Sequence, residues 1–296
     1  MKYQFMRRHE KEFKLERMSR VLGVSRSGYY RFIKAPLSQR AQENKRLLPK
    51  IEEAYQSNRG VYGSPRICKE LRAQGEVCSR KRVARLMRQA GIVAKMKKQF
   101  KVTTRANPKA LAAPNVLQQV FKAELPNQRW VADITYVSTQ EGWLYVAAIL
   151  DLFSRRIVGL AMGERMTTDL VIMALQQAVV HRKPEKGLVH HSDRGCQYTS
   201  AEFQKSLSVS NIIASMSGAG NCYDNAAMES FFHTLKTEHI YFEGYTTREQ
   251  AKQSIFEYVE VFYNRQRRHS TLGYVSPMAF EKQWYQQQAV SLSTVH

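Results

Sequence analysis

Three carboxylates stand out by their surroundings. Asp133 lies inside the apolar run WVADITYV. A charge flanked by such residues is costly to bury unless it is paired or bound to a cation. Asp193 follows LVHHS, in the loop Asp193-Arg194-Gly195. Glu229 falls in the first half of the helix-forming stretch NAAMESFFHTLKTE. Each alone has an ordinary reading: a strand-edge charge, a turn former, an exposed helix residue. Together they suit one purpose. A central strand, the end of its neighbour and a helix packed across them can bring three carboxylates to one spot. Like charges that close raise one another's pKa unless counter-charge arrives. Hard divalent cations, Mg²⁺ or Mn²⁺, supply it, because oxygen ligands suit them. Two such ions about 3.5–4 Å apart can clamp the attacking and leaving oxygens of a phosphodiester in an in-line displacement. Asp133, Asp193 and Glu229 are therefore the candidate catalytic and metal-binding residues. Lys236 lies seven residues after Glu229, two helical turns along the same face, where it can hold a DNA phosphate.

The elements that must position these groups can be read from periodicity. Residues 129–138 and 143–150 are rich in β-branched and aromatic types, with a Gln-Glu-Gly turn between them, so a hairpin is expected. Residues 156–162 read as a third strand. Residues 168–181 read as a helix whose buried side is Leu170, Ile172, Met173, Leu175 and Ala178. A short strand (188–191), a helix (200–208), a short strand (212–215) and a long helix (225–239) follow, and residues 247–262 are again helical. Asn225 is placed to cap the long helix. This order gives an α/β fold with a mixed sheet, and Asp193 falls at the carboxyl end of a strand, where such sheets bind ligands.

Near the triad, His190 and His191 alternate, so one must face away; core packing suits them better than ligation. Gln197 and Tyr198 are in position to touch substrate, and Trp130 reads as core. Residues 263–269 form a basic, aromatic cluster that either contacts DNA or folds back on the core.

The net charge is +21. Residues 1–110 hold 29 Lys and Arg against 8 Asp and Glu, whereas residues 111–296 hold 17 of each. So concentrated an excess attracts a polyanion, and nucleic acid is the usual one. Two helix-turn-helix patterns lie in this arm. The first spans residues 15–32, with a turn at Gly23 and Ser25 as a cap; Gly28 sits awkwardly inside its second helix. The second spans residues 64–91, with Ser64 as cap before Pro65, a stop at Gly75, Ser79 as the next cap, and a stop at Gly91. Its second helix carries Arg80, Lys81, Arg82, Arg85 and Arg88, the candidate DNA-binding residues alongside Lys236.

The expected organisation is a helical DNA-binding region (1–94), a basic linker (95–122), a catalytic core with C-terminal helices (123–285) and a tail (286–296). No apolar run approaches the length of a membrane span and no signal peptide is visible, so a cytoplasmic, nucleoid-associated protein without a membrane is expected. Cys68, Cys78, Cys196 and Cys222 lack zinc-finger spacing and read as reduced thiols.

Taken with their contexts, Asp133, Asp193 and Glu229, with 35 residues between the last two, resemble the DDE triad of retroviral integrases and insertion-sequence transposases. WVADITYV, LVHHSDRGCQY, SGAGNCYDNAAMESFFHTLKTE and YNRQRRHSTLGYVSPMAF are similar to the second-frame (OrfB) proteins of the IS-three insertion-sequence family, and the likeness covers most of the chain. It implies an RNase H-like core that binds the terminal inverted repeats of its element, cuts one strand and uses the freed 3′-hydroxyl to attack DNA. It also implies a strand-bridged intermediate, an excised circle and a first-frame (OrfA) partner or fusion. A homo-oligomer on DNA is expected because two ends must meet. Cys222 stands where the family often has proline. A nuclease of the same fold would need no sequence-reading arm, and a DNA-binding regulator would need no intact triad with Lys236.

Overall fold

A computed structural model describes residues 1–34, 38–96, 113–117, 123–218 and 225–293. Cys222 and most of the expected linker lie outside these. The N-terminal part is helical throughout. Helices α1 (Lys2–Arg8), α2 (Leu15–Leu22) and α3 (Arg26–Lys34) close on a small core of Met6, Met18 and Tyr29. The stop after α2 is the expected one. Gly23 takes a left-handed conformation (φ 61°), and the Val24 N–H donates to the Ser19 carbonyl at 3.0 Å. Helices α4 (Gln39–Ser57), α5 (Ser64–Ala73) and α6 (Arg80–Gln89) follow. Ser79 caps α6 by accepting from the Arg82 N–H at 3.2 Å. Ser64 does not cap α5: Gly63 holds that position and Ser64 opens the helix, with Pro65 in the first turn, where its missing N–H costs nothing. Helix α4 escapes sequence reading because Pro49 lies inside it.

The second part is a five-stranded sheet with the order β3-β2-β1-β4-β5. Strands β1 (Arg129–Thr139), β2 (Gly142–Asp151) and β3 (Ile157–Gly163) form an antiparallel meander. Helix α7 (Thr168–Arg182) crosses over to β4 (Val189–Ser192), parallel to β1. Helix α8 (Ala201–Val209) leads to β5 (Ile213–Met216), parallel to β4. Helices α9 (Ala226–Glu238), α10 (Arg248–Glu257) and α11 (Pro277–Ser293) complete the chain. Between α10 and α11 a π-helical turn covers Tyr258–Tyr263. The expected tail helix thus continues into a wider turn, and α11 runs past residue 286.

The buried face of α7 is Leu170, Val171, Ala174, Leu175 and Ala178; Met173, expected inside, is 45% exposed. The phase follows the small residues, because α7 lies directly on β3. A Cβ on Gly159 would strike the Ala174 carbonyl oxygen.

Two apolar layers sandwich the sheet. Trp130, Ala132, Ile149, Leu170, Leu175 and Phe203 fill the side under α7 and α8. On the other side one core runs without a break from Ile51, Tyr62 and Leu71 of the helical part, through Val131 and Leu150 of the sheet, to Phe231, Leu235 and Phe262. The helical region and the sheet therefore share apolar burial, which is worth roughly 25 cal/mol per Å². Among the described residues no helix is long and apolar enough to cross a membrane.

Candidate active site

Strand β1 lies at the centre of the sheet, and its side chains alternate between the two layers. Val131 and Val137 belong to the layer that holds α9, whereas Trp130 and Ala132 belong to the other. Asp133 shares the parity of Val131 and so faces the α9 side. In the parallel pairing of β1 with β4, Trp130 stands opposite His190 and Val131 opposite His191. Carried two residues further, that register brings Asp193 level with Asp133 on a neighbouring strand line, roughly 4.8 Å away. Asp193 follows Ser192, the last residue of β4. Each aspartate is steadied by its own backbone. Asp133 Oδ1 accepts from the Ile134 N–H at 2.8 Å, and Asp193 Oδ1 accepts from the Gly195 N–H at 2.9 Å.

The third carboxylate comes from α9. Asn225 occupies the cap position of this helix, as expected, but makes no capping bond. Its side-chain amide instead donates to the Ala132 carbonyl at 3.1 Å. This strap ties the start of α9 to the strand residue beside Asp133. Glu229 lies one turn further on the same helix face and is exposed. Opposite it, Ala227, Met228, Phe231, Phe232 and Leu235 anchor α9 in the shared core.

The electrostatics agree with this placement. Burial, then the neighbouring Asp193 and, more weakly, Glu229 push the Asp133 carboxyl up to about 7, against the Ile134 N–H and Lys236. Asp193 is raised by burial, against the Gly195 N–H. The buried Tyr198 hydroxyl is held well above its usual value by burial first, then by the charges of Asp133 and Asp193; its ring packs edge-on against Phe203 at 5.4 Å. Burial lowers Lys236 while Asp133 opposes the shift; its Nζ stands 5.1 Å from the centre of the Tyr136 ring. Among the described residues, Asp133 makes no ion pair, and no three His, Cys, Asp or Glu side chains are gathered tightly enough to hold a metal ion as they stand. The donor set nonetheless suits a hard cation, since all three groups offer carboxylate oxygens.

The histidines are both core. His190 packs edge-on against Phe203, with ring centres 5.5 Å apart, and burial lowers its pKa to about 3. His191 is held by the hydroxyls of Ser215 (2.8 Å) and Ser217 (3.1 Å). The Gln197 amide donates to the Met166 carbonyl at 3.0 Å. On α6, Arg80, Lys81 and Arg88 are exposed. Arg82 instead reaches Asn44 (2.8 Å) and Glu43 (2.9 Å) of α4, and two guanidinium nitrogens of Arg85 are buried.

The 263–269 cluster folds back on the core. Tyr263, Asn264 and Arg267 are buried. Arg267 grips Glu238, at the end of α9, through two bonds of 2.7 and 2.6 Å, and Arg66 of α5 approaches the same carboxylate at 3.4 Å. Arg268 pairs with Glu70 of α5 at 2.6 Å. The helix that carries Glu229 and Lys236 is thus pinned to the strand at one end and to the helical region at the other. Sequence reading missed Glu238: a carboxylate at a helix end carries no local sign of the arginines that meet it from residues 66 and 267.

A three-stranded meander followed by two crossovers, with carboxylates on the central strand, beside it and on a covering helix, defines an integrase-type catalytic core. Family models agree. Two that are described as "Integrase core domain" match residues 123–222 and 229–284, and one described as "HTH-like domain" matches residues 42–100. The chain is 47% identical to the insertion element IS600 uncharacterized 31 kDa protein of Shigella sonnei, over 92% of this chain and 100% of that one. It is 43% identical to the transposase InsF for insertion sequence IS3A of Escherichia coli (strain K12), over 95% and 98% of the two chains. A solved structure of the HTLV-2 integrase catalytic core domain in complex with magnesium is also similar, at 16% identity and a TM-score of 0.43, over 54% of this chain and 99% of that one. The chain belongs to the IS3 family of insertion-sequence transposases.

Proposed function

We propose that this transposase cuts the ends of its insertion sequence and joins them to target DNA at Asp133, Asp193 and Glu229. What supports this reading is the register of β1 against β4, which pairs Val131 with His191 two residues before each aspartate, together with the bond from Asn225 at the start of α9 to the Ala132 carbonyl.

The chemistry is two in-line displacements at phosphorus. In cleavage, water forms the new P–O bond and the bond to the 3′-oxygen breaks, leaving a free 3′-hydroxyl. In joining, that hydroxyl attacks a target phosphodiester, one P–O bond replaces another, and the leaving 3′-oxygen takes up the proton. One bond forms for each that breaks, so no external energy source is needed. Mg²⁺ or Mn²⁺, held as a pair by the three carboxylates, would neutralise their charge and polarise the attacking and leaving oxygens. The protein's own part is placement. The Ile134 and Gly195 N–H groups fix one oxygen of each aspartate. Lys236 offers its ammonium to a nearby phosphate. Tyr198, neutral and buried, packs behind β4 against His190 and Phe203.

The basic arm, residues 1–94, would hold the terminal inverted repeats, with Arg80, Lys81, Arg82, Arg85 and Arg88 on the DNA side of α6; Arg82 and Arg85 would have to leave their present surroundings to do so. Because two ends must meet, the working form would be a homo-oligomer on DNA, with a first-frame partner or fusion, acting on the bacterial nucleoid in the cytoplasm. The test is an incubation of purified protein with labelled element ends. Joined products with Mg²⁺ and none with EDTA support the reading; joined products that persist in EDTA overturn it.

A further inference from the structure

Residues 1–34 lie outside the match to the helix-turn-helix family model, which begins at residue 42. They nonetheless fold as a complete three-helix unit with its own core. Helices α2 and α3 meet through the left-handed Gly23, and the Ser25 hydroxyl caps α3 by accepting from the Gly28 N–H at 3.0 Å. Gly28, out of place by helix propensity, has a physical reason. A Cβ there would strike the Tyr3 hydroxyl, so α1 sits tightly over the inner face of α3.

That packing fixes which face of α3 looks outward. Tyr29 is buried, at 2% exposure. Arg26, Ser27, Tyr30, Arg31 and Lys34 are all exposed, and at 100° per residue these five positions share one face. Helix α3 contains no acidic residue. Residues 1–34 hold ten Lys and Arg against three Glu, and two of those three are engaged away from this face. Glu10 accepts from the Tyr29 hydroxyl at 2.7 Å, and Glu12 meets His9 at 2.9 Å. Among the described residues, Arg26, Arg31 and Lys34 form no ion pair. On α6, by contrast, Arg82 is tied to Glu43 and Asn44. Helix α3 therefore presents three exposed cations without an ion pair among the described residues, as many as α6 does with Arg80, Lys81 and Arg88.

We propose that α2 and α3 form a second DNA-reading unit, distinct from α5 and α6, with α3 in the major groove of duplex DNA. Arg26, Ser27 and Tyr30, toward the start of the helix, would face base edges, and Arg31 and Lys34 would face backbone phosphates, the docking common to helix-turn-helix units. This rests on the reading that the chain works on DNA. It adds that one chain grips its element end at two separate places.

The full chain is titrated with labelled duplexes of the element's terminal repeat and of the same bases shuffled, over a range of salt, and footprinted on the repeat. For Arg31→Ala with Lys34→Ala, the slope of log K against log salt should fall by about 2, one unit for each phosphate no longer neutralised. One block of the footprint should vanish while the block due to α6 stays; Arg80→Ala with Arg88→Ala should show the reverse. Tyr30→Ala should cut the preference for the repeat over the shuffled duplex and leave the slope unchanged, which decides the matter if the double variant loses helicity. Unchanged slope, footprint and preference would overturn the proposal. So would variants that bind DNA like wild type and lose only the first-frame protein, because α3 would then be a protein interface. A wild-type chain that grips neither duplex sinks the DNA reading and this inference together.

Discussion

Asp133 and Asp151 stand on adjacent strands of one sheet, and burial lifts both carboxyls, to about 7 and about 6. Their partners separate them. Asp151 accepts from the Asn127 and Phe153 N–H groups at 2.9 and 3.0 Å and pairs with Arg182 at 3.3 Å. It is a strut. Asp133 has one backbone donor and two carboxylate neighbours, a costly arrangement for a group with only a structural task. Asp133→Asn should therefore leave the melting temperature of the metal-free chain unchanged or raise it, while abolishing joining. Asp151→Asn should cost about 1–3 kcal/mol of stability, because the amide keeps one acceptor oxygen for two N–H donors and loses the charge that meets Arg182, read as a lower melting temperature, with joining by the folded fraction intact. Gly195 gives a second test at this scale. A Cβ there would lie 3.0 Å from Asp193 Oδ1, so Gly195→Ala should displace that carboxylate and slow joining by about tenfold, roughly 1.4 kcal/mol, with little change in melting. The candidate carboxylates are legible in the sequence because each interrupts or follows an apolar run. The structural task of Asp151 is not, since its partners Asn127 and Arg182 lie 24 and 31 residues away.

At the scale of elements, α9 is held at both ends, by Asn225 on β1 and by Glu238 between Arg267 and Arg66. Burial alone would push the Glu238 carboxyl up, yet Arg267 and Arg66 hold it below the usual range. Arg267→Ala leaves this buried carboxylate short of its main partner and should destabilise the chain by about 3–5 kcal/mol, read by denaturant midpoint. Arg267→Lys should recover only part of that loss, because an ammonium cannot reproduce the two-pronged grip. A further clamp sits in the helical region, where Glu76 in the turn between α5 and α6 meets Arg46 and Lys50 of α4 at 2.6 Å each. These partners, Arg46 first, hold its carboxyl down to about 2. A depressed folded pKa gives stability that is present above the ordinary value of 4.5 and lost as pH falls toward 2. Acid unfolding of the wild type should therefore be steeper between pH 4.5 and 2 than that of Glu76→Gln, as followed by circular dichroism. Strand and helix existence is legible from periods of about 2 and 3.6. The phase of α7 is not, because Gly159 and Ala174 decide it by close approach rather than by apolarity.

For the whole molecule, the division of charge and the division of folding do not coincide. The positive excess ends near residue 110, which by itself points to separate modules. The apolar core, however, runs from α4 and α5 into the sheet and α9, and Arg268–Glu70 and Arg59–Glu257 (2.7 Å) bridge the same seam. No local pattern announces such a seam, because its two sides lie up to 206 residues apart, as in the bond from the Arg268 N–H to the Tyr62 hydroxyl. Cooperative behaviour should follow: denaturant should unfold residues 38–96 and the sheet in one transition, with the three N-terminal helices melting separately, as read by hydrogen exchange.

The most direct test of the central claim is strand transfer by wild type and Glu229→Gln, on labelled element ends with Mg²⁺. Glu229 is exposed, on the face of α9 away from the shared core, so the variant should fold and bind the ends like wild type. Its joined product should fall by at least about two to three orders of magnitude, the order expected when a group that stabilises the transition state is lost. Joining at a rate close to wild type would contradict it, and would remove Glu229 from the reaction centre.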